Sequence, residues 1–279
     1  MSSRTLHAAN ADEVAGVWPA VQAAHLFESR EKFESFYAVA PWRVQVTGRG
    51  EAVVLERWRS HLDVLAVRGM WSSASRVPDL IDGVARIASR QGFGRVLSPL
   101  VSEEVAAEYV RAGMERHSAI VALKYDRHTM APPAACAPEG VVLRGALPDD
   151  LGTLVSLDAG CFDEFWRYDA DRLARYFVED RILVAEEAGE VIGYTLSTLV
   201  RDSGTVGRLA VEPSARERGV GAALLAEALR YLVRTGVGSV TLCTQEENRA
   251  SRELYRRMGL IELSGRLVFL VRPAADRRE

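Results

Sequence analysis

The stretch of this 279-residue chain with the clearest chemistry is Leu209-Ala-Val-Glu-Pro-Ser-Ala-Arg216-Glu-Arg-Gly219-Val-Gly221-Ala222, a strand pattern feeding through a loop into a helix. Gly219 and Gly221 lack Cβ, so the chain can turn tightly and a ligand can approach the backbone closely. The first amides of the following helix have no intrahelical partner, and the helix dipole favours negative charge beside them. Arg216 and Arg218 add positive charge at the rim. Such a loop suits a phosphate or diphosphate. Two glycines ahead of a helix also describe a simple tight turn, and their spacing alone does not choose. No Gly-Lys-Ser/Thr follows, which excludes a P-loop, and the third glycine and later acid of a dinucleotide fold have no clear counterparts.

The elements that must position this loop read as mixed α+β rather than strict βαβ alternation. Strands are expected at Val141–Arg144, Ile182–Glu187, Val191–Val200, Thr205–Val211, Ser239–Thr244 and Leu267–Val271, with a hairpin turn at Ala188-Gly189-Glu190. Helices are expected over Asp149–Ala159, Asp169–Val178, Gly219–Thr235 and Arg249–Met258. The third of these carries Leu225, Leu229 and Leu232 on one face and ends at Gly236.

Composition narrows the function classes. Hydrophobic residues at 48% and charged residues at 26% are an ordinary globular balance, and a net charge of -3 argues against a surface built for nucleic acid or anionic lipid. Lys32 and Lys124 are the only lysines, so the arginine bias reflects genome composition more readily than binding. Cys136, Cys161 and Cys243 are too scattered for a disulfide framework or a zinc site, and the five histidines form no metal-spaced pair. No apolar run approaches membrane-spanning length and Met1–Asn10 lacks a signal-peptide core, so a cytoplasmic protein without membrane partners is expected.

Arg216-Glu-Arg-Gly219-Val-Gly221 resembles the Q/R-x-x-G-x-G/A signature of the GNAT superfamily of acyl-CoA-dependent N-acyltransferases. A second element, Asn248-Arg-Ala-Ser-Arg-Glu-Leu-Tyr255-Arg-Arg-Met-Gly259, looks like that family's Asn followed by Leu-Tyr and Gly. Residues 141–271 carry these elements in the family's order. The resemblance implies acetyl-CoA as co-substrate, with no metal. The diphosphate would be held at Arg216, Glu217, Arg218, Gly219, Val220, Gly221 and Ala222, with Asn248 helping. Leu209, Ala210 and Val211 would offer backbone groups to the pantetheine arm and the acyl carbonyl, where an amide stabilises charge developing on oxygen. Tyr255 would be the general acid that protonates the departing thiolate. Phe165, Trp166 and Tyr168, in the aromatic stretch that lines the acceptor pocket in the family, would bind substrate.

The general base stays open. An alkyl ammonium with a pKa of about 10.4 must lose a proton before it attacks. The strand Thr205–Val211 holds no acid, and the position five before Asn248, acidic in the branch that acetylates protein amino termini, is Cys243. Asp158, Asp163, Glu164 and Glu246 are the candidates, beside a water chain to solvent.

Either side of a proline-bearing linker at 131–138, the chain echoes itself. Leu65-Ala66-Val67 matches Leu209-Ala210-Val211, Asp79–Arg90 aligns without gaps on Ala223–Arg234, and Tyr109 to Gly113 matches Tyr255 to Gly259. The resemblance then implies two tandem GNAT-like domains, each a twisted, mostly antiparallel sheet flanked by helices. Residues 1–130 would be a degenerate, non-catalytic copy and 139–279 the catalytic one. On this alignment Arg216, Gly219 and Gly221 fall on Ser72, Ser75 and Val77, and Asn248 on Ser102, so the phosphate cradle is lost. The expected activity is transfer of an acetyl group from acetyl-CoA to a primary amine of a small molecule, by direct attack in a ternary complex. Acylation of a protein or peptide amine, and a non-catalytic acyl-CoA sensor, stand as alternatives. The chain would be a monomer with an internal pseudo-dimer, or a homodimer.

Overall fold

The computed structural model describes residues 4–275 apart from positions 28, 60, 180, 201 and 202. Its backbone divides into two units, Met1–Ile120 with Gly265–Glu279, and Val121–Ser264. The mixed α+β expectation holds in both.

The first unit runs β1 (His7–Ala8), α1 (Ala11–Ala23), α2 (Arg30–Val39), β2 (Val44–Val46), β3 (Ala52–Arg57), β4 (Val64–Trp71), α3 (Val77–Arg90), β5 (Arg95–Leu97), β6 (Val101–Ser102), α4 (Glu103–Arg111) and the first half of β7 (Glu115–Asp126). β1 to β4 pair antiparallel in sequence order, and β4 pairs parallel with β5. Helix α1 starts because the Asn10 side chain accepts the Glu13 amide while the Glu13 carboxylate accepts the Asn10 amide. Val84, Ile87 and Ala88 of α3 pack on Leu65, Val67 and Val96.

The second unit takes the other half of β7 and continues with β8 (Val141–Gly145), α5 (Leu151–Cys161), α6 (Ala170–Glu179), β9 (Arg181–Glu187), β10 (Glu190–Val200), β11 (Ser203–Val211), α7 (Val220–Arg234), β12 (Ser239–Gln245), α8 (Arg249–Arg257) and β13 (Ile261–Glu262). The last strand, β14 (Leu267–Pro273), lies in the first unit, paired antiparallel with β5 and with the Glu115–Ile120 half of β7.

β8 to β11 pair antiparallel in sequence order. The β9–β10 hairpin turns on Ala188 and Gly189, both at positive φ, the conformation of a tight primed turn. Along β9 the side chains alternate between two cores. Ile182 and Val184 meet α5 and α6 through Leu154, Leu157 and Leu173, while Leu183 and Ala185 meet Val220 and Leu224 of α7. Each expected strand and helix of this half is present, with ends shifted by a residue or two, and β13 is an addition that pairs with β7.

Strand register corrects the alignment of the internal repeat. β4 meets β5 at Val64 to Ala66, and β11 meets β12 at Ser203 to Thr205, so Val64 stands where Ser203 does. Leu65-Ala66-Val67 therefore corresponds to Gly204-Thr205-Val206, not to Leu209-Ala210-Val211. The Leu-Ala-Val likeness comes from two core-facing strands drawing on the same apolar residues. Helix ends and following strands do keep the expected offset, Arg90 with Arg234 and Arg95 with Ser239. The difference falls in the strand-to-helix loop. In the first unit a 3-10 turn at Ala74–Arg76 runs straight into α3, whereas in the second the turn at Pro213–Ala215 is followed by Arg216, Glu217, Arg218 and Gly219 before α7 begins. The glycine loop is missing from the first unit rather than mutated in it.

Candidate functional site

The site is built around the C-terminal half of β11. Its pairing with β12 covers only Ser203 to Thr205 against Ser239 to Thr241, after which no β12 partner is recorded for β11. Among the described residues, the strand pairing of Val206 to Val211 is with β10; on the other edge the Val211 carbonyl is taken by Arg216 and Cys161, and the remaining edge groups are left for another partner. A bulge helps: Leu196 faces Arg208 and Ser197 faces Val206, so Gly207 is the extra residue. Val206 packs in the core of α7 and α8, whereas Arg208 and Ala210, beyond the bulge, face α5. Plain alternation would put all three on one face.

β11 then delivers the chain to the glycine loop. Glu217 has φ +62° and Gly219 φ +89°, which turn the chain into α7. Gly219 is the N-cap and offers no side chain to the helix, and the first intrahelical bond runs from the Ala223 amide to the Gly219 carbonyl at 3.0 Å. The amides of Val220, Gly221 and Ala222 are thus the unpaired donors of a fifteen-residue helix. Arg216 reaches back, its Nε donating to the Val211 carbonyl at 3.0 Å. Arg218 is held by Glu187 of the hairpin, with Nη1 to Oε2 at 3.1 Å, and this pairing keeps the Glu187 carboxyl below its usual range. A Cβ at Gly221 would lie 3.5 Å from Leu254 of α8 and 3.6 Å from Val211, so the loop, the end of β11 and α8 converge there. Free amides, no Cβ at two positions and exposed guanidinium groups fit a diphosphate, and the open strand edge fits an amide-bearing arm.

Asn248 caps α8, its side-chain oxygen accepting the Ser251 amide at 3.1 Å. Tyr255, two turns beyond the cap, is 7% exposed among Leu225, Leu242 and Met258. Burial pushes its phenol above the ordinary value, partly offset by a hydrogen bond with Ser251, so it stays a neutral donor at physiological pH. Cys243, five residues before Asn248, is open to solvent, and desolvation by neighbouring protein pushes its thiol up.

Of the candidate bases, Asp158 is corrected. It has no exposure, and its two oxygens accept Arg208 at 2.6 and 2.7 Å, the Tyr194 hydroxyl at 2.6 Å and the Tyr168 amide at 2.8 Å. With both oxygens occupied and no exposure, this carboxylate is out of reach of an incoming amine. Asp163 and Glu164 lie exposed at the turn after α5, and Glu246 offers its carbonyl to Arg252 at 2.8 Å. Phe165 and Trp166 are half-buried, edge to face at 5.2 Å; Tyr168 is buried, its ring 5.6 Å from Tyr176 and 4.2 Å from the Arg208 guanidinium. Sequence reasoning missed Arg208 and Tyr194. An arginine between Val206 and Ala210 in a strand was the available signal, because a buried cation requires a carboxylate. Among the described residues no three His, Cys, Asp or Glu side chains cluster to hold a metal ion, and no described helix is long and apolar enough to cross a membrane.

The pattern of the Acetyltransferase (GNAT) family matches residues 151–260. A mycothiol acetyltransferase of Amycolatopsis mediterranei (strain U-32) is 29% identical over 170 residues, 54% of this chain and 56% of that protein, so the chain spans little more than half of that relative's length. An uncharacterized N-acetyltransferase, YhfO, of Bacillus subtilis (strain 168) is 36% identical over 118 residues, 37% of this chain and 79% of that one. A tandem GNAT protein from the clavulanic acid biosynthesis pathway has the same fold, with a TM-score of 0.71 at 17% identity over 97% of this chain and 98% of that one.

Proposed function

Since the chain belongs to the GNAT family of acetyltransferases, we propose that it moves the acetyl group of acetyl-CoA to a primary amine of a small molecule. The observation that carries this reading is the parting of β11 from β12 directly ahead of a loop with unpaired helix amides. Acetyl-CoA would bring an activated thioester. The amides of Val220, Gly221 and Ala222 hold its diphosphate, Arg216 and Arg218 add charge, and Asn248 borders the arm. The Leu209 edge groups and the Val211 amide align the arm, and one of these amides faces the acyl oxygen, where negative charge grows as the amine attacks. Nitrogen forms a bond to the acyl carbon while the carbon–sulfur bond breaks. Tyr255, kept protonated by burial, gives its proton to the thiolate and recovers one from solvent. With Asp158 spent in an ion pair and no acid on β11, the amine sheds one proton to water before it attacks and its nitrogen sheds a second as the amide forms.

Phe165 and Trp166 border the acceptor, with Tyr168 buried behind them. The relative's name, mycothiol acetyltransferase, supports a small-molecule acceptor. The test is thiol release from acetyl-CoA against glucosamine, spermidine, 2-phenylethylamine and a short peptide with a free amino terminus. Release with a small amine and not with the peptide supports the proposal. Release with the peptide alone makes the chain a protein acetyltransferase. Binding of acetyl-CoA with no release makes it a sensor.

A further inference from the structure

Arg208 and Asp158 form a bidentate ion pair in the interior of the second unit, with side-chain exposures of 6% and 0%. Burying two charges costs free energy that their attraction does not reliably return, and apolar residues of similar size are often as stable. The remaining bonds of the pair show where it acts. Arg208 Nη2 donates to the Trp166 carbonyl at 2.7 Å, and Asp158 Oδ1 accepts the Tyr168 amide at 2.8 Å. The guanidinium carbon lies 3.4 Å from the centre of the Phe162 ring and 4.2 Å from that of Tyr168. Two backbone groups and two rings of the segment 162–168 are therefore fixed from one point on β11. That point is the residue after the Gly207 bulge, and the bulge is what turns Arg208 toward α5. Tyr194 of β10 adds a bond to Asp158 at 2.6 Å, on the carboxylate rather than on the backbone of the segment.

We propose that the Arg208–Asp158 pair is a positioning device for acceptor recognition: it pins Phe165 and Trp166 against the strand whose free edge holds the acyl donor. This rests on the site reading given above. The pair touches neither reactant. It fixes the distance between the aromatic segment and β11, on which in-line attack depends. Arg208→Lys keeps the charge but cannot make the bidentate bond and the Trp166 bond together. Arg208→Met with Asp158→Leu removes both charges and leaves an apolar core. Tyr194→Phe removes one bond to Asp158 and serves as the control.

Hydrogen–deuterium exchange on the full chain reads the tie without any substrate. Peptides over 162–168 are expected to exchange about tenfold faster or more in Arg208→Lys and in the double variant, with those over 182–187 unchanged. Unchanged exchange in both overturns the tie. In kinetics with glucosamine, spermidine and 2-phenylethylamine, the amine KM is expected to rise about tenfold while calorimetric acetyl-CoA affinity stays within about twofold. Equal loss for amine and acetyl-CoA, or an amine effect no larger than in Tyr194→Phe, overturns the acceptor role. If the wild-type chain acetylates none of these amines, the reading of the site is struck instead, and exchange still decides whether the pair holds the segment.

Discussion

Alanine at position 219 isolates the backbone conformation of the loop from its shape. Gly219 sits at φ +89°, and a Cβ there would find nothing nearer than the Pro138 ring at 3.8 Å. The substitution therefore costs conformation rather than space, and a left-handed alanine costs about 1–2 kcal/mol. That cost must surface somewhere. If the free loop keeps its shape, the second unit is less stable by about that amount and acetyl-CoA binds as before. If the loop relaxes to negative φ, stability is spared. Binding must then restore the turn, and Kd rises roughly fivefold to thirtyfold. The two losses are thus expected to sum to about 1–2 kcal/mol. Denaturant unfolding gives the first and titration calorimetry with acetyl-CoA the second. Gly219→Asn, whose side chain tolerates the left-handed region, is expected to lose less than half as much in total. Equal losses in the two variants would show that the side chain obstructs the ligand and would refute the conformational argument.

Tyr255→Phe is expected to lower the acetylation rate about a hundredfold while acetyl-CoA affinity by calorimetry is unchanged, and an unaltered rate removes Tyr255 as the acid. Gly221→Leu should abolish acetyl-CoA binding with the far-ultraviolet spectrum intact, because its Cβ would already lie 3.5 Å from Leu254 and 3.6 Å from Val211, and the rest of the side chain would fill the loop; normal binding would place the site elsewhere. A stop after Ser264 removes β14, with Val268 and Leu270 at 2% and 0% exposure, and forfeits about 3–6 kcal/mol of apolar burial alone. Limited proteolysis should then clip β2 to β6 while 121–264 persists, and uniform resistance would contradict the assignment of β14 to the first unit. Burial pushes the Tyr109 phenol up to about 12. A raised folded pKa means that the stability it carries is full below the unfolded value near 10 and fades as pH rises toward 12. The loss is on the order of 2–3 kcal/mol, which Tyr109→Phe should remove from the alkaline unfolding curve.

The glycine loop, the helix it opens and the Asn248 to Gly259 element were legible from residue types and spacing, because turns, caps and amphipathic faces are local. The repeat alignment was legible only in part: the short Leu-Ala-Val match hid a shorter strand-to-helix loop in the first unit that strand pairing exposes. Three other features were settled in three dimensions. One is the end of β11–β12 pairing at Thr205, since hydrogen-bond partners between strands leave no trace in either strand's composition. Another is the bulge at Gly207, which overrides the period-two rule and sends Arg208 to Asp158 on α5. That contact spans fifty residues and turns a candidate base into half of an ion pair. The last is the place of β14, which joins β5 and β7 although the chain reaches it only after the whole second unit. Sequence set the local chemistry, where a residue's preference depends on its near neighbours. Tertiary structure set the register and the partners of buried charges, because those depend on which distant segment arrives alongside.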